Sequence, residues 1–168
     1  RPYENWTNTP GGITEEFLAD GKLRLHDGST PGENGMSIED GMRNLRSTLH
    51  VWGTSVRLTG LSGVGKTRLV QAMFDERVGE NALNRSWAFY TDMGDSPDPD
   101  PKTFAEQLIA DKTKSILIVD NCPPDLHSRL TKVCSVANST VSLLTVEYDI
   151  RDNLPEETRV FRLEPASE

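Results

Sequence analysis

At 168 residues and 18.7 kDa, the chain is about one domain long and can bury a core without a disulfide or metal staple. Its 18 Lys and Arg against 26 Asp and Glu leave a net charge of −8, so no overall field draws it to a nucleic-acid backbone or an anionic membrane. The longest aliphatic run, residues 116–119, falls far short of a transmembrane span, and no signal-peptide h-region is visible.

Residues 1–36 are rich in Gly, Pro, Asn, Thr and acids. They are expected to form an arm, with Phe17, Leu18, Leu23 and Leu25 in a small hairpin about Asp20-Gly21. The pattern sharpens at Ser37, which is followed three residues on by Asp40, an N-cap signal. Ile38, Met42, Leu45 and Leu49 then recur at helical spacing and predict a helix over about 38–49. Val56 and Leu58 mark a short strand. A glycine-rich loop follows at 60–65, then a helix over about 67–74 with Leu69, Val70, Met73 and Phe74 inward.

The aromatic run at 87–90 predicts a second strand, and the Pro- and Asp-rich stretch 93–101 a loop. Phe104, Leu108 and Ile109 mark a short amphipathic helix. Residues 115–120 read S-I-L-I-V-D, the continuous apolar run of a central parallel strand. Pro123, Pro124 and Asp125 open a helix with Leu126, Leu130 and Val133 inward, and Asp125 is expected to cap it. Apolar strands follow at 141–146 and around Val160, Phe161 and Leu163. Alternation with connections too long for hairpins predicts a three-layer α/β/α fold on a mainly parallel five-stranded sheet.

Gly60, Leu61, Ser62, Gly63, Val64, Gly65, Lys66 and Thr67 match G-x-x-x-x-G-K-[ST] in full, between a strand and a helix. Glycines let backbone N–H groups converge on phosphate oxygens, and a helix N-terminus adds its positive end. Lys66 is expected to meet the β- and γ-phosphates, Thr67 to ligate Mg2+, and Arg68 to lie against the nucleotide. Arg68 also breaks a G-x-G-x-x-G reading of the same glycines, and Val64 breaks G-x-S-x-G. Asp120, at the end of its strand, is the expected second Mg2+ holder beside Thr67.

Asn121 follows Asp120. An amide can orient an attacking water but cannot take its proton. Asp125, Glu147 and Asp149 are the nearest carboxylates for that role. Thr145, read as the end of its strand, is a candidate phosphate sensor, and Arg151 follows closely. The expected catalytic set is thus Lys66, Asp120, Asn121 and Thr145, with binding better supported than fast turnover. His26, His50 and His127 lack a partner pattern and read as structural or surface. Trp6, Trp52 and Trp87 read as packing residues, because no basic groove accompanies them. No N-K-x-D guanine-reading motif occurs, which favours ATP over GTP.

Two cysteines occur, Cys122 and Cys134, outside any C-x-x-C pair. Neither a disulfide framework nor a zinc site is expected, and the cytoplasm is the expected compartment. There the sequons at Asn5, Asn84 and Asn138 are chance matches. A chain opening on Arg1 is expected to be part of something longer.

Together, G-L-S-G-V-G-K-T-R-L, S-I-L-I-V-D-N and S-L-L-T-V-E-Y-D resemble the nucleotide-binding domain of STAND signal-transduction ATPases, relatives of AAA+ proteins. The resemblance covers about 37–168. It implies the additional-strand type of P-loop core, with the Asp120 strand neighbouring the loop-bearing strand. It implies an ATP/ADP switch with Mg2+, working with other domains of a longer chain, forming homo-oligomers when active, and often serving immunity or antiphage defence. The tail at 161–168 is similar to the opening of the helical lid, so the core is expected to stop before it. Two positions depart from the family. Asn121 replaces a frequent second acid, and Glu147 stands where many members carry Arg. A stand-alone AAA+-like ATPase, a scaffold with a vestigial loop and a small-molecule kinase are the alternatives.

Overall fold

The computed structural model describes residues 23–27, 35–60, 65–147 and 158–165. Helix α1 spans Ile38–Leu49. The Ser37 side chain accepts the Asp40 N–H at its start, Glu39 and Asp40 lie in its first turn, and Arg46 lies in its last. These charges oppose the helix dipole at each end. Ile38, Met42, Leu45 and Leu49 are buried along one face. Helices α2 (Lys66–Met73), α3 (Pro101–Ala110) and α4 (Pro124–Cys134) follow. Pro101 and Pro124 open the last two, where a missing N–H costs nothing.

Among the described residues six strands build one sheet: β1 (Leu23–Asp27), β2 (Ser55–Thr59), β3 (Ala88–Asp92), β4 (Ser115–Asp120), β5 (Val141–Val146) and β6 (Thr158–Pro165). Their order is β1-β6-β2-β5-β4-β3. The run from β6 to β3 is parallel throughout, and β1 adds antiparallel to β6. Side chains alternate between two cores. Val56, Leu58, Ile116, Ile118, Leu144 and Val146 pack with α1 and α2. Leu117, Val119, Val141 and Leu143 pack with α3 and α4. The architecture is α/β, with helices on both faces of a mixed sheet.

Three expectations change. The sheet has six strands among the described residues, because Leu23–Asp27 from the expected arm is built into it and Leu25 is fully buried. The other hairpin positions, Phe17, Leu18, Asp20 and Gly21, lie outside the described residues. The Asp120 strand also does not neighbour the loop-bearing strand, since β5 lies between β4 and β2. Apolar runs in β4 and β5 say that both are central but not which is next to β2. Finally, Asp125 does not cap α4. The cap residue is Pro123, without a side-chain bond, and Asp125 sits in the first turn.

The register aligns the carboxyl ends that matter. Asp92 lies opposite Asp120, Asp120 opposite Val146, and Val146 opposite Leu58. Thr59, Asn121 and Glu147 therefore emerge along one edge of the sheet, where ligands bind in parallel α/β folds.

Candidate functional site

The loop leaves β2 at Gly60, which has φ +148°, and re-enters helix at Gly65, which has φ +101°. A Cβ at Gly65 would meet nothing within 4 Å. Glycine is needed there for the left-handed backbone and not for space. Gly65 caps α2 without a side-chain hydrogen bond, and no acid lies in the first turn. The first N–H groups of the helix therefore keep their positive end without an acid of the helix's own first turn to offset it. Leu61, Ser62, Gly63 and Val64 lie outside the described residues.

Lys66 is half-buried, and its Nζ donates to the Gly60 carbonyl, tying the two ends of the loop together. Burial pulls its pKa below the ordinary lysine value, while the charges of Asp120 and Glu147 oppose that shift. Both carboxylates are therefore within electrostatic reach of the ammonium. Glu147 follows β5 directly, and its N–H donates to Leu58 O of β2 at 3.1 Å. Thr67 and Arg68 lie exposed in the first turn of α2. Thr59 Oγ1, one residue before Gly60, is buried without a hydrogen-bond partner among the described residues.

Asp120 is held from two sides. Its Oδ2 accepts the Tyr90 hydroxyl at 2.7 Å, and its Oδ1 accepts the Asn121 N–H at 2.9 Å. Asn121 has φ +53°, and its Nδ2 donates to Asp92 Oδ1 at 2.8 Å. Asp92 belongs to β3, on the far side of β4 from the loop. The amide expected to orient water is thus turned away from Lys66.

On the α4 face of the sheet, Arg57 of β2 is fully buried. Its Nη1 donates to Cys122 O at 2.8 Å and to Thr145 Oγ1 at 3.1 Å. A buried guanidinium persists only with such partners. Thr145 is fully buried and is not the last residue of β5. Its Oγ1 also meets His127 Nδ1 at 2.7 Å, and His127 Nε2 meets Thr158 Oγ1 at 2.8 Å. The expected phosphate sensor is therefore part of a buried network under α4, because its side chain points to that face of the sheet. Burial first, and the Arg57 charge second, push the His127 pKa down to about 4.

Of the residues singled out from sequence, the structure brings Lys66, Asp120 and Glu147 together at the end of the sheet, with Thr67 one residue past Lys66. It directs Asn121 and Thr145 elsewhere. Asp125 is exposed on α4, and Asp149 and Arg151 lie outside the described residues. No sequence motif marks Tyr90, Asp92 or Arg57. The signal available for Arg57 was a charged residue inside a five-residue strand, S-V-R-L-T. Cys122 and Cys134 are both buried, and burial raises the Cys134 thiol to about 12. That burial keeps Cys134 as the thiol rather than the reactive thiolate.

Among the described residues no cluster of three or more His, Cys, Asp or Glu could cage a metal. Mg2+ does not need one. It is commonly held by one or two carboxylates, a hydroxyl and substrate phosphates. Hard oxygens from Thr67 and Asp120 fit that donor set. Asp120 suits it because both its hydrogen-bond donors are neutral and leave its charge intact.

No protein-family model matches the chain, and a comparison with curated proteins finds no match. Among the described residues, no helix is long and apolar enough to cross a membrane.

Proposed function

We propose that this chain is the nucleotide-binding core of an ATP/ADP switch of the STAND type, binding Mg-ATP at the 60–68 loop and hydrolysing it slowly. One observation carries the reading most. Lys66 opens a helix whose N-terminus has no side-chain cap, spans a glycine loop to Gly60, and feels both Asp120 and Glu147. The five parallel strands support it, since loop and acid leave the same edge of the sheet.

In this reading Lys66 exchanges the Gly60 carbonyl for the β- and γ-phosphate oxygens. Backbone N–H groups at the start of α2 receive the phosphates beside it. Thr67 and Asp120 would hold Mg2+, which supplies positive charge to the phosphate oxygens when bound. β5 separates β2 from β4, so the axes of those strands lie about 10 Å apart. That span suits Asp120 acting through water rather than on the phosphates directly.

Slow turnover follows from the water side. Asn121 is occupied with Asp92, and an amide cannot take a proton. Glu147 is the second carboxylate near Lys66, besides Asp120, and is the residue assigned to the attacking water. A fast stand-alone ATPase is disfavoured by the same geometry, and a vestigial loop by the retention of Lys66, Thr67 and Asp120. Adenine over guanine rests on the absence of N-K-x-D.

The test is equilibrium binding of fluorescent ATP, ADP and GTP with Mg2+. Adenine nucleotides are expected to bind and Lys66→Ala to weaken them at least tenfold, about 1.4 kcal/mol or more. Glu147→Gln is expected to keep binding and lower hydrolysis. Equal binding by Lys66→Ala contradicts the proposal.

A further inference from the structure

We propose that the edge strand β3 positions the Asp120 carboxylate for its cation, with Tyr90 as the positioning residue; this rests on the Mg-nucleotide reading above. A carboxylate at a strand end rotates about its last bond unless donors fix it. Asp120 has one donor on each oxygen, the Tyr90 hydroxyl at 2.7 Å on Oδ2 and the Asn121 N–H at 2.9 Å on Oδ1.

Both donors trace to β3. Tyr90 belongs to it and is only 9% exposed, packed into the core, so its hydroxyl direction is set by packing. Asn121 is steadied in its left-handed turn by donating to Asp92 of β3 at 2.8 Å. Asp92 is in turn fixed by the Gly94 N–H at 2.8 Å. Tyr90 and Asp92 are two residues apart and share a face of the strand.

The chemistry of the donors matters. A Lys or Arg donating directly to both Asp120 oxygens would take up the lone pairs and the charge that a cation needs; Lys66 acts on Asp120 through its charge. A phenol and a backbone amide fix the group and leave its charge. Each carboxylate oxygen accepts about two hydrogen bonds, so one site on each oxygen remains for a cation or its water. Partners that orient metal-ligating groups commonly contribute 10–100-fold to metal affinity.

The test is a Mg2+ titration of fluorescent-ATP binding for the parent chain, Tyr90→Phe and Asp120→Ala, with the same affinity measured in EDTA. Tyr90→Phe retains the ring and removes one hydroxyl. Its Mg2+ midpoint is expected to rise about tenfold, the lower end of that range, with affinity in EDTA matching the parent. Asp120→Ala is expected to lose the Mg2+ dependence. An unchanged Mg2+ midpoint overturns the proposal, and so does an equal loss with and without Mg2+, which would mark Tyr90 as packing alone. Should Tyr90→Phe fail to fold, Asn121→Gly keeps the left-handed turn available, cuts the tie to Asp92, and is expected to raise the midpoint severalfold. A parent chain that binds no nucleotide overturns the underlying site, an outcome read from the parent alone.

Discussion

Lys66 and His127 are each buried to a degree that ordinary lysines and histidines avoid, and the causes differ. For Lys66 burial lowers the pKa, and the charges of Asp120 and Glu147 oppose it. His127 is kept neutral, with its pKa near 4 against 6.5 in an unfolded chain. That gap corresponds to about 3 kcal/mol of differential proton affinity. Because the folded value is the lower one, the unfolded chain binds the extra proton. The stabilising contribution is complete above pH 6.5 and is lost as pH falls toward 4. Between pH 7 and pH 5 His127 should account for about 2 kcal/mol of lost stability. His127→Gln should flatten urea midpoints over that interval, and an identical pH profile would show that His127 charges freely in the fold. Residue identity told unevenly here. Lys66 and Asp120 were legible because a motif and a strand end fix where they go. Thr145 and Asn121 were not, since their roles depend on which way a side chain leaves the backbone. Thr145 leaves toward α4, and Asn121 turns at a positive φ that brings its amide to Asp92.

At the level of elements, α2 is anchored at the end opposite the loop. Arg46 of α1 is buried and donates to the carbonyls of Ala72, Met73, Asp75, Val78 and Glu80 at 2.7 to 3.2 Å. A cation at a helix C-terminus satisfies carbonyls the helix cannot and complements its dipole. Arg46→Met should cost about 3–5 kcal/mol in urea unfolding by leaving those carbonyls unpaired. Arg46→Lys should cost less, since one ammonium retains some of the bonds. A loss below about 1 kcal/mol for Arg46→Met would contradict the anchoring role. Helix positions were well read from sequence because burial at i, i+4 and i+7 leaves a periodic trace, as in α1. Strand order leaves none. β4 and β5 are both buried on two faces, so nothing in their apolar runs says that β5 sits beside β2. β2 is harder still, since its polar-apolar alternation suggests one solvated face. The structure buries both, with Arg57 beneath α4.

For the whole molecule, five parallel strands bring loop and acid out along one edge, and the two cores on either face hold that edge in register. The chain carries a net charge of −8, so a polyanionic ligand gains nothing from the global field and must be held by local groups. Under the proposed reading, Mg-nucleotide affinity should therefore depend steeply on Lys66 and the α2 N-terminus. The measurement that bears most directly on this is thermal unfolding with Mg-ATP or Mg-GTP, on the parent chain and on Lys66→Ala. Ligand at 100 times its Kd stabilises by about 2.7 kcal/mol, roughly 5–10 °C for a domain of this size. The predicted result is a shift of that order with Mg-ATP, a smaller one with Mg-GTP, and none for Lys66→Ala. No shift with Mg-ATP, or an equal shift in Lys66→Ala, would contradict the nucleotide site.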